Sequence, residues 1–323
     1  MKQKKLIVYI ILILFFVFCS LGCSFKIGKG DKVWNDFVSP NSKLVDMWNY
    51  KMHYIDIGKG KPIVLVHGFS DSTYCWHNNI HELVDAGFRL IIIDQPGMGK
   101  SEIPPEPYIF SIANQAKEII RLTEKLHLKE FSLIGHSMGG GIALYISYFY
   151  PQKVMNTIAI DPACFRLSRR ILLTYPGMTH IASVFAGRWA VKMALKDVYY
   201  NDDKVDDKLV DEYTRPMVKP NYLKMLVSLS KQYFSDEFDR MVDHYNKMNI
   251  PLLIIWGEQD EWIPVEFGQK LHEQIPNSQL VILNNCGHNS HQECSAGVNS
   301  RIMKFYHNLN VLDETYKIGS SPD

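Results

Sequence analysis

The chain has 323 residues, of which 46% are hydrophobic and 21% are charged. This composition is close to the globular average and excludes a wholly disordered or collagen-like chain. The formal net charge is +1, which gives no support for nucleic-acid binding, because that function needs a strong basic excess or stripe. Six cysteines are too few for a disulfide scaffold. They lack the paired CxxC spacing of a zinc site, so we expect no metal.

The N-terminal residues predict an export signal. Three lysines precede an unbroken apolar run of 13 residues, 6–18, which is short for a membrane-spanning helix and typical of a signal peptide. The next residues, Ser-Leu-Gly-Cys, resemble the lipobox of bacterial lipoproteins, which implies lipidation of Cys23 and removal of a signal peptide, 1–22. An uncleaved N-terminal signal anchor is the alternative. Either way, we expect an exported, membrane-tethered protein with a polar tether at 23–44.

Beyond the tether, short apolar runs rich in β-branched residues alternate with amphipathic helical patterns. We predict helices at 112–127 and 138–150, and strands at 63–66, 89–93, 131–134, 154–160, 251–256 and 279–283. Strands that alternate with helices predict an α/β fold, in which helices cover both faces of a mostly parallel sheet.

One long segment interrupts this alternation. Residues 163–249 lack clear strands and have a helical pattern, so we interpret them as a helical insertion. The core then has two parts, 45–162 and 250–309, and residues 310–323 form a polar, flexible tail.

The sharpest motif is Gly-His-Ser-Met-Gly, which has the G-x-S-x-G pattern with Ser137 at its centre. It follows a predicted strand and opens a predicted helix, which is the context of a nucleophile elbow. The flanking Gly135 and Gly139 permit the tight turn, because a side chain at either position would collide with neighbouring backbone. The pattern therefore predicts Ser137 as a catalytic nucleophile.

A serine hydroxyl needs a base to remove its proton, and the base needs a partner that orients it. His288 follows the last predicted strand and is our candidate base, with His291 as its nearest competitor. Asp260 follows the strand before it and is our candidate third member, with Glu258 and Asp161 as alternatives. The order Ser–Asp–His is the chain order of a known class of triads.

Acyl transfer also requires backbone N–H groups that stabilise the oxyanion. The first is predicted at Met138, directly after the nucleophile. The second is predicted at Phe69, in the His-Gly-Phe loop that follows the strand at 63–66. Together they predict the oxyanion hole.

These motifs occur in the chain order of the α/β-hydrolase superfamily, which the sequence resembles from about residue 50 to residue 308. The resemblance rests on His67-Gly68, Asp94-x-x-Gly97-x-Gly99-x-Ser101, Gly135-x-Ser137-x-Gly139, Gly257-x-x-Asp260 and Gly287-His288. It implies an eight-stranded, mostly parallel sheet with helices on both faces. It also implies that the insertion at 163–249 is a helical cap over the site.

Within that superfamily, a serine at position 137 favours serine esterases and lipases over relatives that use Asp or Cys there. The cap is rich in Met and aromatic residues, which suits an apolar acyl or aromatic group. We therefore expect a serine hydrolase without cofactor that cleaves a carboxylic ester or lipid through an acyl-enzyme. A carbon–carbon bond hydrolase or thioesterase of the same fold is the alternative, and a non-catalytic, membrane-tethered binding protein is the third hypothesis. In an exported protein, Cys286 and Cys294 could also form a disulfide around His288.

Overall fold

The computed structural model of the protein describes residues 34, 38–166 and 187–312. The predicted signal peptide, Cys23 and most of the tether lie outside the described residues, as do 167–186 of the cap and the tail after residue 312. Along the described part of the chain, no helix is both long and apolar enough to cross a lipid bilayer.

An eight-stranded sheet forms the centre of the protein, as the resemblance to the α/β-hydrolase superfamily implies. Its strands are β1 (Ser42–Asp46), β2 (Lys51–Gly58), β3 (Lys61–Val66), β4 (Phe88–Ile93), β5 (Phe131–His136), β6 (Val154–Ile160), β7 (Leu252–Gly257) and β8 (Ser278–Leu283). Their order across the sheet is β1-β2-β4-β3-β5-β6-β7-β8. Strand β2 is antiparallel to β1 and β4, and every other neighbouring pair is parallel.

The central strands are apolar runs because both of their faces are covered. Every residue of β5 and β7 is buried, which fits a strand between two layers of helices. The covering helices of the core are α1 (Ile80–Asp85), α2 (Ile112–Lys125), α3 (Met138–Phe149), α8 (Glu266–Gln274), α9 (Ser290–Glu293) and α10 (Ser295–Asn308). The carboxyl ends of the parallel strands therefore meet at one edge, where loop residues can form a site.

The described part of the cap, 187–249, is helical. It contains α4 (Arg188–Val198), α5 (Asp207–Thr214), α6 (Tyr222–Gln232) and α7 (Asp236–Val242), and no strand lies within those described residues. Many of its aromatic and Met side chains are buried in the same apolar cluster as the sheet. They include Tyr213, Tyr222, Met225, Tyr233 and Phe238. These side chains therefore pack the cap onto the core.

Strand β1 begins at Ser42, so the last three residues that we assigned to the tether lie in the sheet. The sequence pattern did not predict this strand, because it is a short edge strand whose residues are all partly or fully exposed. Its Leu44 remains 59% exposed, and its Lys43 forms an ion pair of 2.9 Å with Asp56 of β2. Such polar edges lack the apolar run that identifies a buried strand.

Candidate active site

Ser137 occupies a tight turn between β5 and α3. Its φ of +52° lies in the left-handed region, which a serine rarely adopts. A Cβ added to Gly135 would lie 2.3 Å from the carbonyl oxygen of Gly139, and one added to Gly139 would lie 2.2 Å from that of Val66. The two glycines are therefore required by the close approach of β3, β5 and α3 beneath the turn.

The structure brings together the three side chains that the sequence assigns to catalysis. The Nε2 atom of His288 lies 2.8 Å from Ser137 Oγ, and its Nδ1 atom lies 2.7 Å from Asp260 Oδ2. All three residues are buried, and Ser137 is the most exposed of them at 9%. In this arrangement His288 can accept the Ser137 proton while Asp260 holds the ring.

Asp260 and the imidazole of His288 are themselves fixed by the loop that follows β7. The Oδ1 atom of Asp260 accepts hydrogen bonds from the N–H groups of Trp262 (2.8 Å) and Ile263 (2.9 Å). The Trp262 indole stacks on the His288 ring, with centroids 5.6 Å apart and planes at 21°. The Asp260 carboxylate thus stabilises the turn that carries it, and the His288 ring is held both by its hydrogen bonds and by stacking on Trp262.

Charge distinguishes His288 from its histidine neighbours. Burial alone would lower the pKa of His288, but the charge and hydrogen bond of Asp260 outweigh it and raise that pKa above the usual value. Burial lowers the pKa values of His136 and His291 well below the usual value, so both rings are neutral. Across the described ranges, no group of three or more His, Cys, Asp or Glu side chains is arranged to hold a metal ion.

None of the competing residues from the sequence forms a hydrogen bond with Ser137 Oγ or with the His288 ring. His291 is buried, and neither of its ring nitrogens has a hydrogen-bond partner among the described residues. Glu258 is exposed. Asp161 is buried at the end of β6, where its carboxyl group contacts Gly257 and Ser290. Only Asp260, of the three candidate carboxylates, forms a hydrogen bond with the imidazole.

The two predicted oxyanion donors lie on adjoining loops. Within the described part of the chain, the backbone N–H groups of Phe69 and Met138 have no acceptor. A Cβ on Gly68 would lie 3.0 Å from His136 Nδ1 and 3.3 Å from Ser137 Cβ, so the Phe69 loop rests directly against the nucleophile turn. Two free N–H groups close to Ser137 can stabilise a negative oxygen.

Two conspicuous polar residues near the site have structural partners. His67 accepts a hydrogen bond at Nε2 from the Gln95 N–H group (3.0 Å). Asp94 accepts from the N–H groups of Thr73 (2.6 Å) and Lys100 (2.7 Å) and contacts the His53 ring. These bonds join the loops after β3 and β4, which positions the Phe69 loop.

Two kinds of contact hold the His288 turn, and the sequence analysis proposed only the second. The Glu293 carboxylate accepts from the N–H groups of Gly287 (2.8 Å), Tyr200 (3.0 Å) and Asn201 (2.7 Å), which ties the turn to the cap. A disulfide joins Cys286 to Cys294 and closes the loop that contains His288. Only the disulfide had a signal in the sequence, namely two cysteines that flank a catalytic candidate.

Comparison with known proteins identifies the wider group. The family model described as the alpha/beta hydrolase fold matches residues 61–293. The protein of Bacillus subtilis (strain 168) named "Uncharacterized hydrolase YugF" is 31% identical over 245 residues, which cover 74% of this chain and 87% of that protein.

Two further similarities concern proteins with more specific names. The 2-hydroxy-6-oxononadienedioate/2-hydroxy-6-oxononatrienedioate hydrolase of Comamonas testosteroni is 26% identical over 278 residues, which cover 84% of this chain and 96% of that enzyme. The crystal structure of a putative lipase from Acinetobacter baumannii AYE is similar with a TM-score of 0.69 and 26% identity. That match covers 83% of this chain and 91% of the lipase chain.

Proposed function

This chain is a member of the α/β-hydrolase fold family, and on that premise we propose that it is a serine hydrolase in which Ser137 forms an acyl-enzyme. The carrying observation is the 2.8 Å contact between Ser137 Oγ and His288 Nε2, with Asp260 at the other ring nitrogen. Because a serine hydroxyl is a weak nucleophile without a base, this contact is what such a reaction requires.

The reaction has two halves. Ser137 Oγ attacks a substrate carbonyl carbon while its proton passes to His288 Nε2, and the Phe69 and Met138 N–H groups stabilise the resulting oxyanion. His288 then gives its proton to the leaving group as the bond to the carbonyl carbon breaks. In the second half, His288 removes a proton from water, which attacks the acyl-enzyme and releases the acid.

For the bond that breaks, we propose a carbon–carbon bond next to a ketone, in an apolar or aromatic 2-hydroxy-6-oxo-dienoate. The relative from Comamonas testosteroni supports this choice over the ester that the sequence analysis placed first. The 2-hydroxyl proton first moves to carbon 5, which gives the 2,6-dioxo tautomer, and Ser137 then attacks the ketone at carbon 6. When the bond between carbons 5 and 6 breaks, its electron pair is delocalised from carbon 5 through the adjoining double bond onto the 2-oxo group, and His288 gives the proton taken from Ser137 to this dienolate. Ser137, His288 and the two N–H groups keep the same roles.

A carboxylic ester is the second candidate. It is favoured by the similarity to a putative lipase at 26% identity. Here the alcohol oxygen leaves with the proton from His288. The fold alone does not choose between these reactions.

The test uses two substrates and one labelling reagent. We expect the purified chain to hydrolyse 2-hydroxy-6-oxo-6-phenylhexa-2,4-dienoate, monitored by the loss of substrate absorbance, with a higher kcat/KM than it has for p-nitrophenyl butyrate. The reverse order would favour the ester.

Ser137→Ala should abolish turnover and fluorophosphonate labelling. Ser147→Ala is the control, because Ser147 lies on helix α3, which follows Ser137, and its hydroxyl bonds to Ala143 and Thr157 instead. Wild-type turnover by Ser137→Ala would refute the proposal.

We also propose that the chain is exported and held at a membrane by a lipid on Cys23. The N-terminal pattern supports this, as does the Cys286–Cys294 disulfide, since such bonds persist in oxidising compartments. Cells that express the chain should incorporate radioactive palmitate into it, and Cys23→Ser or globomycin should prevent processing. Cys19→Ser is the control. Unchanged processing in Cys23→Ser would favour a signal anchor.

A further inference from the structure

A second buried carboxyl lies beside the proposed triad. Asp161 follows β6 and is fully buried. Its φ of +44° is in the left-handed region, where a non-glycine residue persists only when its surroundings hold it there. The proposed mechanism does not use this carboxyl, so its burial and backbone conformation call for another explanation.

The contacts of Asp161 join the two turns that carry Asp260 and His288. Its Oδ1 atom accepts the Gly257 N–H group at 2.7 Å, and the Gly257 carbonyl oxygen accepts the N–H group of Asp260 at 3.2 Å. Its Oδ2 atom lies 2.5 Å from Ser290 Oγ, two residues after His288. Asp161 therefore bridges the start of the acid turn and the helix that follows the base.

The charges around Asp161 determine its protonation. Burial and the negative charge of Asp260 raise the pKa of Asp161 to about 8, although His288 and the bonds from Ser290 and Gly257 act in the opposite direction. Asp260 and His288 are the titratable side chains that act on it. The Ser290 hydroxyl donates to Oδ2 and the Gly257 N–H group donates to Oδ1, while burial and the Asp260 charge favour the protonated form of the carboxyl.

We propose that Asp161 is a positioning residue: a second buried carboxyl that joins the His288 turn to the Asp260 turn and supplies the counter-charge of His288 when Asp260 is neutralised. This inference rests on the proposed serine-hydrolase function. Removal of the Asp260 charge removes the repulsion that keeps Asp161 protonated, so Asp161 ionises. Its negative charge then favours the imidazolium that forms when Ser137 loses its proton.

A double-mutant cycle tests this role. Asp161→Asn keeps both contacts, because the amide oxygen can accept from Gly257 and the amide nitrogen can donate to the Ser290 hydroxyl, which then accepts instead of donating. We expect its fluorophosphonate labelling rate at pH 7 to stay within about threefold of wild type. Asp260→Asn should label about 10²–10³-fold more slowly, which is less than the ~10⁴-fold loss known for such a change elsewhere. The double variant should lose a further factor of about ten.

Two outcomes overturn the inference. If the double variant labels as fast as Asp260→Asn, then Asp161 supplies no counter-charge. If wild type and Asp161→Asn have the same rate at every pH from 6 to 9.5, ionisation of Asp161 has no effect on His288; we expect a second rise near pH 8 in wild type only. The second measurement uses a single variant, so it decides even if the double variant does not fold. Absence of labelling in wild type itself would instead refute the serine-hydrolase proposal.

Discussion

The ring of His136 lies beneath that of His288, with centroids 5.1 Å apart and with His136 Nε2 2.9 Å from the His288 carbonyl oxygen. Since burial keeps the pKa of His136 well below its usual value, the ring is neutral and its Nε2–H group donates this bond. The residue before the nucleophile therefore supports the backbone of the proposed base.

His136→Phe keeps a ring in this position and removes the donor. The His288 carbonyl oxygen would then be buried without a partner, which costs about 1–3 kcal/mol. We expect the free energy of unfolding to fall by that amount and the fluorophosphonate labelling rate to fall about tenfold. Chemical denaturation and labelling kinetics measure the two effects.

His291→Phe is the matched control for this change. His291 is equally buried and packs against the His136 ring at 4.1 Å, but neither of its nitrogens has a partner in the described part of the chain. Its replacement should cost little stability and leave labelling close to wild type. Equal losses in both variants would show that ring packing, and not the hydrogen bond, is what matters.

The nucleophile turn could be predicted from sequence because its requirements are local. Ser137, Gly135 and Gly139 lie within five residues, and the strand and helix around them have clear patterns. Asp260 and His288 could then be predicted as the other two members, because each follows a predicted strand and the order Ser–Asp–His is satisfied. Six strands of the sheet could be predicted for the same reason, and the two antiparallel strands at one edge of the sheet, β1 and β2, were not among them.

The supports of the site could not be predicted, because they join residues far apart in the chain. Glu293 bonds to Asn201 across 92 positions, and Asp161 bonds to Ser290 across 129. A carboxylate that accepts backbone N–H groups has no periodic pattern of its own. The bond that the enzyme breaks is also not encoded in the motif, since the same triad can serve ester and carbon–carbon cleavage.

The pH dependence of labelling should reflect His288. Burial lowers the pKa of His288, but Asp260 raises it to a net value above the usual one, which is about 6.5. The neutral ring is the form that accepts the Ser137 proton, so the rate should rise with pH through a midpoint above about 6.5. In the double variant Asp161→Asn/Asp260→Asn, which removes both carboxylates that raise the pKa of His288, this midpoint should move to lower pH while the maximum rate falls. An unchanged midpoint in the double variant would contradict the assignment of Asp260.

Gly139→Ala should destabilise the fold at the nucleophile turn. Its Cβ would lie 2.2 Å from the Val66 carbonyl oxygen and 2.4 Å from that of His67, and backbone cannot move aside easily. We expect a loss of about 1–3 kcal/mol, measured by thermal or chemical unfolding. Gly297→Ala is the opposite case, because its Cβ meets nothing closer than 3.7 Å and lies in a helix. That variant should gain about 0.5–1 kcal/mol.

The Cys286–Cys294 disulfide should stabilise both the fold and the His288 turn. It closes a loop of sequence separation 8, and removal of a native disulfide costs about 2–4 kcal/mol. The double variant Cys286→Ser/Cys294→Ser should unfold at lower temperature and label more slowly. Reductant should lower the Tm of wild type and leave the double variant unchanged. The two free cysteines of the described residues, Cys75 and Cys164, are buried, so an equal effect of reductant on both proteins would show that the sensitivity does not come from this disulfide.

Asp71 should make stability depend on pH through its contact with the cap. This buried carboxyl accepts the Tyr213 hydroxyl at 3.0 Å and the Ser72 N–H group at 2.7 Å. Burial outweighs these bonds and raises the pKa of Asp71 to about 7, whereas an unfolded Asp has a pKa of about 3.9. Between those values the folded state holds a proton that the unfolded state has released. Stability from this residue is therefore complete below about pH 4 and declines as pH rises towards 7.

Asp71→Asn should remove that decline. The difference in free energy of unfolding between Asp71→Asn and wild type should shift in favour of the variant by at least about 1 kcal/mol from pH 4 to pH 7.5, since one pKa unit corresponds to about 1.4 kcal/mol. Asp56→Asn is the control with the opposite sign, because its bonds to Arg89 lower the pKa of Asp56. That variant should be less stable than wild type at pH 7, and the difference should shrink as pH falls through about 4. The free energy of unfolding is measured by chemical denaturation at each pH. If it changes with pH in the same way for wild type and Asp71→Asn, Asp71 is ionised in the folded protein.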